Sequence, residues 1–466
     1  MKPEELRGKS VSVIGAGKSG LAAAELLMKA GARPFVTEFG AISPEGRAHL
    51  IELGIPFEEG GHSERVFDAA LGVVSPGIPQ TARVLHELEQ RGIPLCSEIE
   101  AASWFCAARI IGVTGTDGKT TTATLIHRIC EAEGRRKGFR AFSVGNIGVP
   151  FSSKVLEMGP MDIAVLELSS YQLERCLTFR PDVAVLTNIT PDHMDRYGGD
   201  IHAYARAKFR IHANQGAVDT VIYNHDDPML RAHFDAAGLW PFRVVRFGLH
   251  DCSGATTASG CVTIRDGAIV AGSGEGETEL ISVGEFVKPS FRGEHNLYNA
   301  LAAVAAARAA GIDPASIREA LVGFGGVEHR QEFAGSACGL EWINDSKATN
   351  VNAMRQALQS VPAGMVLIAG GRDKGNDYSS VAGLVREKVA CIVAIGESRE
   401  KLARSFDGVV RVVTAATLRD AVHEAARIGA PGVTVLFSPA CSSFDMFRDF
   451  EDRGEQFKQL VRELSS

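Results

Sequence analysis

The strongest chemical signal in the chain is the segment GTDGKTTT at residues 115–122, which follows the apolar run ARIIGVT and precedes the helix-like ATLIHRIC. Glycines in such a turn let consecutive backbone N–H groups point at an anion, a lysine neutralises phosphate charge, and a threonine hydroxyl binds magnesium. These parts are supplied by Gly115, Gly118, Lys119 and Thr120. The segment therefore predicts a phosphate-binding loop.

The predicted loop departs from the common form in two ways. The usual spacing G-x-x-x-x-G-K would require a glycine at the position of Val113. Asp117 places an acid where phosphate oxygens should come, so we expect its carboxylate either to cap the following helix or to face outward. Because an apolar strand and a helix flank the turn correctly, we expect a variant phosphate loop rather than an incidental glycine turn.

Two further predicted strand ends carry residue types that bind metals. Glu167 ends the strand in MDIAVLELSS, and Asp192, His193 and Asp195 follow the strand in PDVAVLTNIT. Taken singly, Glu167 could be a helix cap or surface acid and His193 a hydrogen-bonded loop histidine. Taken together, on neighbouring parallel strand ends beside a phosphate loop, they favour a nucleotide and magnesium site, since magnesium prefers oxygen ligands.

A second glycine turn lies near the start of the chain. Gly15, Gly17 and Gly20 fit G-x-G-x-x-G between a predicted strand and a predicted helix, and Glu38 ends the next strand. In a dinucleotide fold such glycines bring a pyrophosphate to a helix N-terminus, and such an acid binds the ribose. Because any anionic ligand can use this turn, the pattern leaves both NAD and other nucleotides open.

The organisation of the chain is that of an α/β protein. A length of 466 residues suggests about three domains. Three series of apolar strands alternate with helices, and we place the domains at residues 1–97, 98–326 and 327–466. The Gly/Thr/Ser-rich stretch at about 245–290 predicts a few antiparallel strands or loops appended to the central domain.

Composition narrows the functional classes. A net charge of -7 and a pI near 6.0 give no basic field for nucleic acid. The nine cysteines are scattered singly without a CxxC pair, so we expect them to be unpaired, mostly buried and in a reducing compartment. The polar start of the chain predicts no signal peptide or membrane anchor. We therefore expect a cytoplasmic monomer without nucleic-acid or membrane partners.

Seven motifs then carry a resemblance that runs from about residue 11 to 457. They are GTDGKTT, LELSSYQLE, TNITPDHMDRYG, EHNLYN, EHRQE, NDSKATN and SPACSSFDMF. In this order the chain resembles the Mur ligases, and NDSKATN with SPACSSFD resembles the members that add D-glutamate. The resemblance implies a Rossmann-like N-terminal domain that binds UDP, a central P-loop ATPase-type domain with a mostly parallel sheet, and a Rossmann-like C-terminal domain that binds the amino acid.

The resemblance also implies a set of site residues. Lys119, Glu167, His193 and Lys208 would be catalytic; two magnesium ions would be bound by Thr120, Glu167, His193 and a carbamylated Lys208. The ATP-binding residues would be Gly115, Thr116, Gly118, Lys119, Thr120, Thr121, Asn296, Asn299, Arg330, Asp345 and Lys347, with Asn296 and Asn299 at adenine. The UDP-muramoyl substrate would contact Lys18, Ser19, Glu38 and Asn146, and the D-glutamate site would include Thr349, Lys374, Ser443 and Phe450.

The implied reaction is ATP-dependent addition of D-glutamate to UDP-N-acetylmuramoyl-L-alanine through an acyl phosphate and a tetrahedral intermediate, in peptidoglycan precursor synthesis. The first domain departs from the family pattern, because it fits the strand order better than the side-chain identities at Lys18 and Ser19. Three alternatives stay open: a folylpolyglutamate synthase-like ligase, an NAD-dependent oxidoreductase that would leave Lys119 unexplained, and a P-loop ATPase acting as a motor or switch.

Overall fold

The computed structural model describes residues 3–194, 196–236, 239–250, 252, 260–273, 276–288, 291, 293–373 and 375–465. The chain divides into two compact units. The first consists of Met1–Phe286 and Glu294–Phe324, and the second of Val287–Gly293 and Gly325–Ser466. The first unit contains two sheets and the second contains one.

The first sheet is parallel, with strand order β3-β2-β1-β4-β5. Its strands are β1 (Ser10–Ile14), β2 (Arg33–Glu38), β3 (Phe57–Glu59), β4 (Leu71–Val74) and β5 (Leu95–Ser97). Its helices are α1 (Lys18–Lys29), α2 (Pro44–Glu52), α3 (Arg83–Gln90) and α4 (Glu98–Ser103). The buried strands β1 and β4 pack under α1, which brings the glycine turn before α1 to the carboxyl edge of the sheet.

The central sheet has the order β14-β13-β12-β11-β10-β9-β6-β8-β7, parallel from β12 to β7 and antiparallel through β12, β13 and β14. Its strands are β6 (Arg109–Thr114), β7 (Ala141–Gly145), β8 (Ile163–Glu167), β9 (Val183–Leu186), β10 (Thr220–Asn224), β11 (Arg243–Phe247), β12 (Gly260–Arg265), β13 (Ala268–Ser273) and β14 (Gly276–Ser282). Its helices are α5 (Lys119–Lys137), α6 (Phe151–Lys154), α7 (Ser170–Leu173), α8 (Ile201–Phe209), α9 (Pro228–Ala236), α10 (Val283–Phe286), α11 (Glu294–Ala309) and α12 (Pro314–Gly323).

The third sheet has the order β15-β16-β20-β17-β18-β19 and is parallel except for β15. Its strands are β15 (Glu332–Ala337), β16 (Leu340–Asn344), β17 (Met365–Gly370), β18 (Val389–Ile395), β19 (Arg411–Thr414) and β20 (Thr434–Phe437). Its helices are α13 (Val351–Ser360), α14 (Ala382–Lys388), α15 (Arg399–Ser405), α16 (Leu418–Ile428) and α17 (Phe450–Leu464). Apolar residues of the central strands form cores on both faces of this sheet.

These sheets confirm the predicted α/β class and its three-part organisation, and β12 to β14 confirm the antiparallel addition to the central sheet. The boundaries at residues 97 and 326 stay predictions. The expectation that the cysteines are unpaired is wrong for Cys252 and Cys261, which form a disulfide. Two lone cysteines nine residues apart carry no local pairing signal in the sequence. Among the described helices, none combines the length and apolar character that a bilayer crossing requires.

Candidate active site

The phosphate loop lies between β6 and α5, where the sequence predicts it. Gly115 and Gly118 have φ values of 149° and 78°, a region that favours glycine, so the chain can turn sharply between strand and helix. Helix α5 has Gly118 at its N-cap and no side-chain cap. The interpretation of Asp117 as a capping residue is therefore wrong, because the N-cap position falls one residue later.

Two lysines converge on the carbonyl groups of this loop. Lys119 Nζ donates to Gly115 O at 3.0 Å and to Thr116 O at 2.7 Å. Lys208 Nζ, on α8, donates to Gly115 O at 2.6 Å, and its side chain lies over the ring of Tyr204. The amines of both lysines thus share one carbonyl oxygen, and the Lys119 ammonium gives the loop a positive charge that suits a polyphosphate.

Lys208 is 1% exposed, which the sequence did not indicate. Burial lowers the pKa of its ammonium group well below the ordinary value, and the charge of Lys119 lowers it further. The carboxylates of Asp192 and Asp117 oppose this shift. Asp117, the acid that seemed out of place in a phosphate loop, therefore acts electrostatically on the lysine beneath the loop.

Glu167 and Asn146 meet at neighbouring strand ends. Glu167 ends β8, pairs in register with Val113 of β6, and is 5% exposed. Asn146 follows β7, and its Nδ2 donates to Glu167 Oε1 at 3.0 Å while its backbone N–H donates to Glu167 O at 2.8 Å. The structure thus joins a predicted magnesium ligand to a predicted substrate contact, a link that sequence reasoning missed.

The loop after β9 places His193 close to two side chains. Its ring Nε2 lies 3.4 Å from Asp192 Oδ2, and its ring centroid lies 5.0 Å from that of Tyr171. His193 is about half exposed, so its imidazole is accessible for a ligand. Asp195, the third polar residue predicted here, lies outside the described residues.

Helix α11 presents the two predicted adenine-binding asparagines near the phosphate loop. Asn299 is buried; its Oδ1 accepts from Thr122 Oγ1 at 3.2 Å, and its Nδ2 donates to Asn296 Oδ1 at 3.2 Å. A Cβ atom on Gly118 would lie 2.2 Å from Asn299 Oδ1. Asn299 therefore packs against the loop itself, and its predicted contact with adenine stays a prediction. Thr121, in the first turn of α5, is also buried.

The first sheet carries the other glycine turn. Glu38, at the end of β2, accepts from Ala16 N at 2.8 Å with one carboxylate oxygen and from Gly40 N at 3.0 Å with the other. Lys18 and Ser19 begin α1 at the surface. The Glu38 carboxylate therefore binds one backbone N–H group of this turn, that of Ala16, and adds negative charge beside it.

In the second unit the predicted residues follow three adjacent parallel strands. Asp345 follows β16 and is buried; its Oδ2 accepts from Ser438 Oγ at 2.8 Å and its Oδ1 from Gln331 N at 3.2 Å. Burial raises the pKa of Asp345 to about 7, although the Ser438 hydrogen bond and the Arg330 charge oppose the shift. The hydrogen bonds from Ser438 and Gln331 hold the Asp345 carboxylate in one orientation.

Beside Asp345, the loop after β16 carries Lys347 and the partly buried Thr349, and the loop after β20 carries the buried Ser443. Lys347 Nζ lies 5.8 Å from the ring centroid of Phe450, the first residue of α17. Lys374, on the loop after β17, lies outside the described residues. Because β16, β20 and β17 are neighbouring parallel strands, the loops that follow them share one edge of the sheet.

Sequence reasoning missed Arg453, which holds the two described loops in place. This guanidinium is fully buried and donates to Ser346 Oγ, Ser346 O and Cys441 O at 3.0, 2.7 and 3.1 Å. Its only sequence signal is its position one turn after Phe450 in α17. Asn188 and Thr187, beside the phosphate loop, were also missed.

Comparison with known proteins agrees with this arrangement. Three family models match successive parts of the chain: the MurD N-terminal domain at residues 10–84, the Mur ligase middle domain at 113–307, and the Mur ligase glutamate ligase domain at 329–441. A crystal structure of a UDP-N-acetylmuramate-alanine ligase from Thermotoga maritima has a TM-score of 0.57 at 20% identity, over 98% of this chain and 99% of that one. That likeness establishes a shared fold.

Relatives with high sequence identity over their full length identify the branch of the family. A UDP-N-acetylmuramoylalanine--D-glutamate ligase from Chlorobaculum tepidum is 71% identical over 465 residues, and one from Chlorobaculum parvum is 69% identical over 466 residues; each match covers 100% of both chains. The fold and the phosphate-loop site define an ATP-dependent amide-forming ligase. The chain belongs to the Mur ligase family, in its UDP-N-acetylmuramoylalanine--D-glutamate ligase branch. The folate ligase, oxidoreductase and motor ATPase alternatives are thereby set aside.

Proposed function

We propose that the chain joins D-glutamate to UDP-N-acetylmuramoyl-L-alanine in the cytoplasm, at the expense of ATP, as a step of peptidoglycan precursor synthesis. The observation that supports this best is the loop at residues 115–119, where two lysines and the start of α5 meet, within a chain that matches this ligase branch over its full length. The reaction explains why a polyphosphate site and an amino-acid site occur in one chain.

The chemistry requires activation of a carboxylate, because direct attack by an amine would have to expel oxide. A carboxylate oxygen of the alanyl group attacks the γ-phosphorus, ADP leaves, and an acyl phosphate forms. The D-glutamate amine then attacks the acyl carbon. The tetrahedral intermediate expels inorganic phosphate, which keeps the oxygen that came from the carboxylate, and the amine loses its proton. Water must be excluded while the acyl phosphate exists.

Residues of the first unit are proposed to hold the triphosphate. Lys119 donates to carbonyl oxygens of its own loop and can turn its donors to phosphate oxygens, and the first N–H groups of α5 point to the same anion. Gly115, Thr116, Gly118, Thr120 and Thr121 build this cradle, Asn296 and Asn299 are assigned to adenine, and Arg330, Asp345 and Lys347 are assigned to ATP from the second unit.

The donor set at the strand ends suits magnesium. Glu167 offers a buried carboxylate, and Thr120 offers a hydroxyl in the first turn of α5. His193 and a carbamate on Lys208 are assigned to a second ion. Bound magnesium would neutralise the carboxylate, the γ-phosphate and the developing oxyanion. Asn146 orients Glu167 by donating to its Oε1.

Carbamylation of Lys208 is supported by the state of its amine. Carbon dioxide reacts only with a neutral amine, forming the N–C bond and releasing one proton. Burial and the nearby Lys119 charge both lower the pKa of Lys208, so its neutral form is more accessible than that of an exposed lysine. The anionic product would relieve the repulsion between the two lysines and supply an oxygen ligand of the type magnesium prefers.

The remaining assignments concern the two other substrates. Glu38, with Lys18 and Ser19, is assigned to the UDP moiety, and Asn146 to the muramoyl moiety. Thr349, Lys374, Ser443 and Phe450 are assigned to D-glutamate, whose two carboxylates require a cation and hydroxyl or backbone donors. Lys374→Ala is expected to weaken binding of D-glutamate far more than binding of ATP; equal loss of both would contradict this assignment.

An isotope experiment tests the proposed reaction. UDP-N-acetylmuramoyl-L-alanine carrying ¹⁸O in its carboxylate is incubated with ATP, magnesium and D-glutamate, and the released phosphate is analysed by mass spectrometry. Transfer of one ¹⁸O atom to phosphate is expected for each amide formed. Amide formation without transfer of the label would overturn the acyl-phosphate mechanism, and the absence of amide would overturn the function.

A further inference from the structure

The segment that follows β9 runs beside the phosphate loop and is bonded to it residue by residue. Thr187 N donates to Thr114 O at 3.0 Å, and Thr116 N donates to Asn188 O at 2.9 Å, so the pairing of β9 with β6 continues into the loop. Thr190 N in turn donates to Thr116 Oγ1 at 3.0 Å. This contact fixes the first half of the loop.

The side chain of Asn188 binds both backbone groups of Asp117. Its Oδ1 accepts from Asp117 N at 2.8 Å, and its Nδ2 donates to Asp117 O at 3.1 Å. Thr187 Oγ1 donates to the same carbonyl oxygen at 2.6 Å. The Thr187 hydroxyl also lies where a Cβ atom of Gly115 would be, at 1.9 Å from that position.

These bonds determine which way the following N–H group points. In a planar trans peptide the C=O and N–H groups face opposite sides. The Asp117 carbonyl is held toward Thr187 and Asn188, so the N–H of Gly118 points away from these two side chains. The φ of 78° at Gly118 permits this reversal.

We infer that Asn188, assisted by Thr187, is a positioning residue that orients the Gly118 N–H toward the ATP phosphates. If the Asp117–Gly118 peptide turned over, a carbonyl oxygen would face the phosphates and the loop would lose a donor. The bracing from β9 also accounts for a loop that works without the usual glycine at residue 113. This inference rests on the proposed ATP role of Lys119.

Asn214 provides a matched control. Like Asn188, it makes two side-chain hydrogen bonds to the backbone: its Nδ2 donates to Leu177 O and Phe179 O, both at 3.0 Å. Those carbonyls belong to the loop before β9, at the other end of the strand. Replacing either asparagine by alanine removes two side-chain hydrogen bonds to the backbone. Only the hydrogen bonds of Asn188 reach the phosphate loop.

The test measures binding of ATP and D-glutamate in the intact enzyme. Asn188→Ala is expected to raise KM for ATP and Kd for ADP by roughly tenfold, as the loss of such bonds allows, with KM for D-glutamate unchanged. Thr187→Ser, which keeps the hydroxyl, should leave KM for ATP within about twofold of the parent value, whereas Thr187→Val should raise it. Asn214→Ala should lower only the melting temperature.

The outcomes separate the inference from the proposed function. Suppose that a folded Asn188→Ala enzyme binds ATP as tightly as the parent, while Lys119→Ala binds it more weakly. This result would overturn the positioning role of Asn188 and leave the assignment of the loop to ATP intact. If Lys119→Ala also kept full affinity, the assignment of the loop to ATP would fail. Should Asn188→Ala not fold, Asn188→Asp, which keeps the acceptor but not the donor, and Thr187→Val carry the test; unchanged KM for ATP in both would overturn the inference.

Discussion

The glycine turn after β1 and the phosphate loop after β6 both join a buried parallel strand to a helix. They differ in what the neighbouring strand contributes. At the first turn, β2 contributes the Glu38 carboxylate, which accepts from Ala16 N at 2.8 Å. At the second, the segment after β9 contributes the neutral Asn188 amide, and two lysines bind the loop carbonyls.

We expect this difference to decide which ligand each turn binds. A carboxylate bound to the first turn repels a phosphate placed beside it and favours groups that donate hydrogen bonds, such as ribose hydroxyls or a uracil N–H. The second turn keeps its helix N-terminus and lysines for an anion. Glycine spacing alone therefore does not distinguish the two turns, whereas the side chains supplied by neighbouring strands do.

The largest expected effect comes from removing the cation of the second turn. Lys119→Ala should reduce ATP-dependent product formation by about a thousandfold, because a preorganised donor to the phosphate is lost. Circular dichroism should remain that of the parent. Lys29→Ala on α1, an exposed lysine paired with Glu25, is the control and should retain parent activity. Normal activity of Lys119→Ala would contradict the assignment of the second turn to the ATP phosphates.

The next effect concerns the second lysine of that turn. Lys208→Ala should lower kcat by about a hundredfold, and a small added carboxylate should restore part of the activity. Intact-protein mass measured under carbon dioxide should show an added 44 Da, the mass of CO₂, on the parent but not on the variant. An unmodified lysine together with near-normal activity of Lys208→Ala would contradict the carbamate.

The same lysine gives a pH dependence. Burial lowers the Lys208 pKa, so the amine is neutral above that lowered pKa and protonated below it. Because only the neutral amine is carbamylated, activity in limiting carbon dioxide should fall as pH decreases, and added bicarbonate should shift this loss to lower pH. If the loss of activity at low pH does not respond to bicarbonate, a group other than Lys208 causes that loss.

A smaller effect is expected at the first turn. Glu38→Ala should raise KM for UDP-N-acetylmuramoyl-L-alanine about tenfold, since the carboxylate fixes the turn through two backbone N–H groups and is proposed to contact the UDP moiety. KM for ATP should not change. A change in KM for ATP with none for the UDP substrate would reverse the assignment of the two turns.

The last prediction concerns the stability of the first turn rather than activity. A Cβ atom on Gly20 would lie 1.9 Å from Gly15 O, whereas one on Gly17 would have no atom within 4 Å. Gly20→Ala should therefore lower the free energy of unfolding by about 2 kcal/mol, and Gly17→Ala should have little effect. Denaturant unfolding of both variants measures this; equal stability would mean that the turn is not tightly packed.

The sequence was sufficient to predict groups that lie at strand ends. Glu167, His193 and the loop residues 115–120 are each placed by one local pattern, an apolar strand followed by polar residues, and the rule that parallel strands end at one edge brings them together. The motif resemblance added Lys208 and the residues of the second unit, which local patterns alone do not connect.

Local patterns could not reveal contacts between distant side chains. Asn188 and Asp117 are 71 residues apart, and Glu38 and Ala16 are 22 apart, so both contacts depend on which strands become neighbours. Burial of Lys208 was equally hidden, because a lysine on a helix normally predicts an exposed face. For the Asn188–Asp117 contact, the missing information was the pairing of β9 with β6.

The central claim is that this chain couples ATP cleavage to joining D-glutamate to UDP-N-acetylmuramoyl-L-alanine. The most direct measurement is phosphate release from ATP with that UDP substrate and one amino acid at a time: D-glutamate, L-glutamate, D-alanine or meso-diaminopimelate. Sustained phosphate release, matched one for one by amide product, is predicted with D-glutamate alone. Equal turnover with another of these amino acids, or sustained ATP hydrolysis without any acceptor, would contradict the account.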